Sequence, residues 1–261
     1  MIDYKNKLVL ITGSSSGIGR ACAFEFGGLG ASIALTGRNE DELTSLNNDL
    51  KALNINSHFF VCDLLELDSI DTLINQIENY FNNSVDILIN SAGNAVLGLV
   101  ENIPISALKE NMSLNFYAPF ALSKLLIPGM KKKGFGQIIN LSSGVGKRGL
   151  PGVSSYSSSK FALTGFSDSL RVELMGFNID VILFSPGLVD SEFSSNLTIF
   201  GDLKNKFTDG RALKPKEVAL HIANASKKRK REVTLSYKTK IGTAINFFLP
   251  AILDKYLTKK L

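Results

Sequence analysis

Lys7-Leu8-Val9-Leu10-Ile11-Thr12-Gly13-Ser14-Ser15-Ser16-Gly17-Ile18-Gly19-Arg20-Ala21-Cys22-Ala23-Phe24-Glu25-Phe26 reads as an apolar strand, a loop of glycine and serine, and the start of a helix. Glycine lets the chain turn sharply and lets main chain approach an anion closely. The first turn of the helix offers free N–H groups and the positive end of its dipole. A glycine cluster alone means only a tight turn. Set between a strand and a helix at the start of an α/β pattern, it points to a site for the pyrophosphate of a nucleotide.

The same alternation continues along the chain. Lys7 to Ile11, Ser32 to Thr36, Ser57 to Val61, Val85 to Ile89, Gln137 to Leu141 and Ile179 to Phe184 are short runs of Val, Ile, Leu and Phe without clean polar alternation. Such runs suit strands buried on both faces, with the helical stretches between them as crossovers of a parallel sheet. The expected class is α/β, a Rossmann-type doubly wound parallel sheet. At 261 residues one unit suffices. Residues 1–236 are expected to form the dinucleotide-binding catalytic domain, and residues 237–261 an amphipathic C-terminal tail.

The formal charge of +5 is unevenly placed. Ser226 to Leu261 carries a net +8, which leaves −3 on the rest, so the body lacks the basic stripe that nucleic acid would need. Cys22 and Cys62 provide no disulfide framework or zinc spacing, and His58 and His221 stand far apart, so no metal is expected. No signal-peptide pattern precedes the first strand, and a cytoplasmic location is expected.

In dinucleotide folds a carboxylate at the end of the second strand commonly binds the ribose 2′-hydroxyl of NAD. Here Ser32 to Thr36 runs into Gly37-Arg38 instead. A guanidinium there suits a 2′-phosphate and predicts NADP(H), although a solvated surface arginine would look the same. The carboxylates that follow, in Asn39-Glu40-Asp41-Glu42, read as an N-cap with a capping-box glutamate.

Tyr156 and Lys160 are one helical turn apart, thirteen and seventeen residues after Ser143. A fixed positive charge beside a phenol favours the phenolate, which predicts a Tyr156 pKa below its usual value of roughly 10. By itself the pair is also what an ordinary helix face displays.

Together these residues resemble the short-chain dehydrogenase/reductase family, in the subgroup with TGxxxGIG and YxxxK. The resemblance runs from Lys7 to about Leu235. Asn90-Ser91-Ala92-Gly93 is similar to the family's NNAG turn, with Ser91 in place of the second asparagine. Pro186-Gly187-Leu188-Val189-Asp190-Ser191 is similar to its PGxVxT segment, with serine for threonine. The resemblance implies Asn115, Ser143, Tyr156 and Lys160 as catalytic residues. It implies a cofactor held by Gly13, Ser14, Ser16, Gly17, Ile18 and Gly19, by Arg38 and Asp63, and by Asn90, Ala92 and Gly93. Tyr156 and Lys160, then Pro186, Gly187, Val189 and Ser191, complete the cofactor set.

The implied chemistry is hydride transfer between the nicotinamide and a carbonyl or alcohol carbon. Tyr156 acts as general acid or base, Ser143 holds the oxygen, Lys160 binds the nicotinamide ribose, and Asn115 positions a water. Ser142 is off the thirteen-residue spacing. The expected function is an NADPH-dependent carbonyl reductase, or the same enzyme run as an alcohol dehydrogenase, with a non-catalytic NADP-binding redox sensor or scaffold as the alternative. A homodimer or homotetramer is the family habit.

Between Glu192 and Leu213, Phe193, Leu197, Ile199, Phe200, Leu203 and Phe207 recur at loosely helical spacing. They predict either an apolar lid for a lipophilic ketone or alcohol, or a cap on the core. After the basic run to Arg231 comes a predicted strand, Glu232 to Ser236. From Ile241 only thirteen consecutive residues are uncharged, too few for the roughly 20 that cross a bilayer. Ile241, Ile245, Phe248 and Ile252 predict a helix lying on an anionic membrane surface, or packed on the body or across a subunit interface.

Overall fold

In a computed structural model, residues 2–195, 197–203 and 212–258 are described. The order is β1 (Leu8–Thr12), α1 (Gly17–Gly28), β2 (Ser32–Gly37), α2 (Glu40–Ala52), β3 (Ser57–Val61), α3 (Ser69–Phe81), β4 (Ile87–Asn90) and β5 (Val96–Gly98). It continues through α4 (Ile105–Met112), α5 (Ala118–Lys133), β6 (Gly136–Leu141), α6 (Ser154–Leu174), β7 (Ile179–Ser185), α7 (Glu192–Ser195) and β8 (Thr198–Phe200). The last elements are α8 (Pro215–Lys227), β9 (Glu232–Thr234), α9 (Tyr237–Phe248) and α10 (Pro250–Thr258).

Seven strands form one sheet in the order β3-β2-β1-β4-β6-β7-β9, with every pair parallel. Leu8 to Ile11 are fully buried because helices cover both faces. Alternate residues divide between two cores. Val9, Ile11, Ile33, Leu35 and Ile89 meet α1, α2 and α8, while Leu8, Leu10, Ala34 and Leu88 meet α3, α5 and α6. The predicted doubly wound class is the observed one. The chain order reverses between β1 and β4, where such sheets leave a crevice at their C-terminal edge.

Local chemistry agrees with the elements. Asn39 Oδ1 accepts from the Glu42 N–H at 3.2 Å, the N-cap read from the sequence. All six predicted main strands are present, within one or two residues at their ends. The predicted last strand stops at Thr234, since Ser236 instead caps α9 by accepting from Thr239 N.

Three expectations change. First, among the described residues the loosely helical spacing after Glu192 is not carried by one helix. One turn, α7, is followed by β8, which pairs with β5 in a separate parallel sheet that neither three-residue run announces. Phe207 lies outside the described residues. Second, the tail is two helices, because Pro250 cannot continue the α9 hydrogen-bond ladder and restricts Leu249 before it. Third, the basic run is partly tied to the body. Arg229 pairs with Asp180 at 2.8 Å and Arg231 with Asp168 at 3.4 Å.

Candidate active site

The C-terminal ends of β1, β4, β6 and β7 deliver most of the predicted site to one edge of the sheet. Gly13 turns the chain at φ +62°, and a Cβ there would stand 2.8 Å from the Ala92 Cα, so only glycine fits where the two loops touch. Thr12 ties them, its Oγ1 accepting from Ser91 N and Ala92 N at 3.0 Å each. Ser16 precedes α1 in extended conformation and makes no side-chain cap bond. The first-turn N–H groups of α1 thus keep the arrangement that an anion requires. Ser191 closes in from the other side, its Cβ 3.4 Å from the position a Cβ on Gly17 would occupy.

Two residues of the predicted cofactor set face elsewhere. Ser14 is fully buried, and both its N–H and its hydroxyl donate to the Thr36 carbonyl at 3.1 Å, tying the loop to β2. Asn90 is buried in the sheet and donates to Asn140 Oδ1 at 2.7 Å, and Asn140 in turn donates to Ser167 on α6. Asn90 ends β4 with its side chain turned into the protein interior, and Ser14, in the loop after β1, turns inward onto β2. Arg38 is exposed beyond β2, 3.8 Å from Asp63 beyond β3. A guanidinium and a carboxylate therefore share the outer end of the crevice.

At the inner end, Tyr156 and Lys160 stand on α6. Ser143 stands beside the Tyr156 phenol, close enough to pull its pKa down, while Ser142 turns back toward Thr164 at 3.4 Å. Lys160 Nζ lies 5.7 Å from the centroid of the phenol ring and donates to the Leu141 carbonyl at 2.9 Å. The expected lowering of the Tyr156 pKa is reversed in this structure. Burial pushes the phenol up to about 12, against the smaller downward pull of Ser143. Burial also brings Lys160 down to about 8. Desolvation outweighs the neighbouring charge because both groups leave water together.

Asn115 sits in a π-helical turn, Ser113–Tyr117, between α4 and α5. Its amide donates to Asn94 O at 2.9 Å and Ser159 Oγ at 3.0 Å and accepts from Asn94 N at 3.1 Å. Asn111, buried one turn earlier, was not singled out from the sequence. It donates to Asn94 O and Oδ1 and accepts from Ser155. Two asparagines four apart was the available signal. Together they suture the loop after Gly93 to α6. On the open side of the phenol lies an apolar cluster of Leu97, Val145, Leu150, Leu197 and Leu203, with the Phe193 ring 6.0 Å from that of Tyr156.

A nucleotide cradle at a sheet crevice, leading to a phenol, an ammonium and a hydroxyl, defines a dinucleotide-dependent oxidoreductase. Comparison with known proteins makes this specific. Residues 7–199 match the model of the short chain dehydrogenase family, and the chain belongs to the short-chain dehydrogenase/reductase family.

The chain is 34% identical over 243 residues to dehydrogenase/reductase SDR family member 7B of Xenopus tropicalis, covering 89% of this chain and 78% of that protein. It is 32% identical over 266 residues to the probable short-chain type dehydrogenase/reductase VdlC of Helicobacter pylori, covering 94% and 93%. A short-chain dehydrogenase from Streptomyces avermitilis superposes with a TM-score of 0.83 at 25% identity, over 98% of this chain and 95% of that one. A family member from Burkholderia phymatum, solved in complex with NAD, has the same fold at TM-score 0.85 and 19% identity, over 95% of each chain. The family is one of oxidoreductases that use a nicotinamide cofactor on small molecules.

Proposed function

We propose that this protein reduces a carbonyl on a lipophilic substrate with NADPH, or oxidises the corresponding alcohol, with Tyr156 as general acid or base. The observation that carries the reading is the Tyr156 phenol, beside Ser143 and packed against the apolar cluster of Leu97, Val145, Leu150 and Leu197. Such a lining favours an alkyl or aryl group beside the reacting carbon.

The cradle fits the family's cofactor, since a positive-φ glycine loop and open helix N–H groups match a pyrophosphate. Gly13, Ser16, Gly17, Ile18 and Gly19 would hold the phosphates, Asp63 the adenine side, and Ala92, Gly93 and Pro186 to Ser191 the nicotinamide end. Arg38, exposed at the outer end, would bind a 2′-phosphate. When bound, the nicotinamide supplies or accepts the hydride.

This chain's own residues then manage charge and protons. In reduction the Tyr156 phenol, protonated near neutrality, gives its proton to the substrate oxygen while Ser143 Oγ holds that oxygen. Lys160 is held by Leu141 within reach of the forming phenolate and stabilises it. Both N–H donors of the Asn115 amide are engaged, and its main chain would position a water.

Residues 1–236 are assigned the catalysis. The tail is assigned a peripheral contact with an anionic membrane surface, on the evidence of the exposed Ile241, Phe247, Phe248, Leu249, Ile252 and Tyr256. No helix among the described residues is long and apolar enough to cross a membrane.

The test is NADPH oxidation over a panel of hydrophobic ketones, with Tyr156→Phe as control. Turnover that falls at least about a hundred-fold in the variant, with NADPH affinity kept, supports the reading. Binding of NADPH without turnover of any ketone would favour a sensor or scaffold instead.

A further inference from the structure

The turn that carries Ser143, with the two residues after it, meets the C-terminal part of the chain at four points. Ser143 caps a short 3-10 turn, Gly144–Gly146, and its Oγ accepts from Val145 N. The next two residues are both cations, and both reach the other end of the chain. Lys147 pairs with Glu232 at the start of β9. Arg148 Nη1 donates to Asn246 Oδ1 on α9 at 2.7 Å, and Nη2 pairs with Asp254 on α10. At Gly144 a Cβ would stand 2.7 Å from Thr239 Oγ1, so the first turn of α9 lies directly against the residue after Ser143.

Arg148 is largely buried, and its Nε is shielded from solvent without a hydrogen-bond partner among the described residues. A guanidinium so placed depends on its two remaining partners. Asp254 is itself exposed, so its loss would leave Arg148 held by Asn246 alone rather than bury a bare charge. Asn246 and Asp254 lie on separate helices, so one side chain holds both to a turn about a hundred residues away in sequence. A tail merely anchored to the body could have used any surface. Here the anchor is two residues beyond the end of the turn that Ser143 caps.

We propose that Arg148 is a positioning residue, which by bonding Asn246 and Asp254 makes the seating of α9 and α10 set the aim of the Ser143 hydroxyl at Tyr156. The proposal rests on the reading of Ser143 given above. It assigns the C-terminal helices a part in catalysis besides any contact they make outside the molecule.

Full-length Arg148→Ala, Arg148→Lys, Asp254→Asn and the reversed pair Arg148→Asp with Asp254→Arg separate the outcomes. For a ketone that the wild type reduces, Arg148→Ala and Asp254→Asn should lower kcat about ten- to a hundred-fold, since small misplacements of catalytic groups have effects of that order. KM should change less, NADPH affinity should hold within about twofold, and the reversed pair should recover part of the kcat. Amide hydrogen exchange should quicken in residues 143–149 together with 237–257.

Faster exchange in the tail alone, with kcat unchanged, would overturn the proposal and leave Arg148 as an anchor. If Arg148→Ala does not fold, Asp254→Asn and Arg148→Lys decide the question by the same readouts. If the wild type reduces no ketone, the functional reading fails, and joint or separate exchange of the two segments still decides the coupling.

Discussion

Lys160 Nζ donates a 2.9 Å hydrogen bond to the carbonyl of Leu141, the last residue of β6, so the ammonium is held by the sheet as well as by its own helix. The bond orients the cation, while burial works against its charge and lowers its pKa from 10.5 to about 8.

Two pH dependences follow from that value. In the mechanism proposed, reduction needs the charged Lys160, so kcat/KM should be level below pH 8 and decline above it. The Tyr156 phenol, raised to about 12, stays protonated throughout that range. For stability, the unfolded chain holds a proton between about pH 8 and 10.5 that the folded chain has released. Wild type should therefore gain stability relative to Lys160→Met as pH rises through that window. Urea unfolding at pH 7 to 10 measures the difference, and a flat difference would refute the shift.

Arg38→Ala should weaken NADPH about ten- to a hundred-fold, the loss of a charge-assisted contact, and leave NADH within twofold. Separate titrations of the two cofactors check this. An unchanged ratio would mean that Arg38 serves only its 3.8 Å contact with Asp63.

Thr12→Val keeps the shape of the side chain but removes the acceptor for Ser91 N and Ala92 N. With the Ala92 N–H left unpaired, stability should fall by about 1–3 kcal/mol. NADPH affinity should fall with it, because the glycine loop and the Asn90–Gly93 turn would separate. Thr12→Ser should restore both in urea unfolding and cofactor titration, and a stable Val variant with normal affinity would contradict the tie.

Phe247→Ser with Phe248→Ser should leave folding nearly unchanged, since the two side chains are 79% and 75% exposed. Sedimentation with phosphatidylserine vesicles should show a loss of binding relative to wild type. Equal binding would remove the membrane assignment of the tail.

Much of the fold and part of the site were legible in the chain because they depend on neighbours in sequence. The six buried strands declare themselves by composition, and Asn39 with Glu42 forms its cap within one turn. Gly13 and Gly17 mark the cradle, and the Tyr156–Lys160 spacing places two groups on one helix face. The strand after Glu192 went unread because the pairing of β8 with β5 is decided by a partner about a hundred residues distant. Pro250 was a local signal that a continuous apolar pattern concealed.

What the sequence determined by itself was therefore the order of the main strands and helices, the glycine loop between β1 and α1, and the placing of Tyr156 and Lys160 one turn apart. Each rests on backbone preference or on periodicity within a few residues. Tertiary structure alone decided that Ser14 and Asn90 turn inward, that Asn111 joins Asn115 at Asn94, and that Arg148 reaches Asn246 and Asp254. It also decided the direction of the Tyr156 shift. Desolvation depends on how much protein closes around a group from all sides, and no spacing along a chain encodes that.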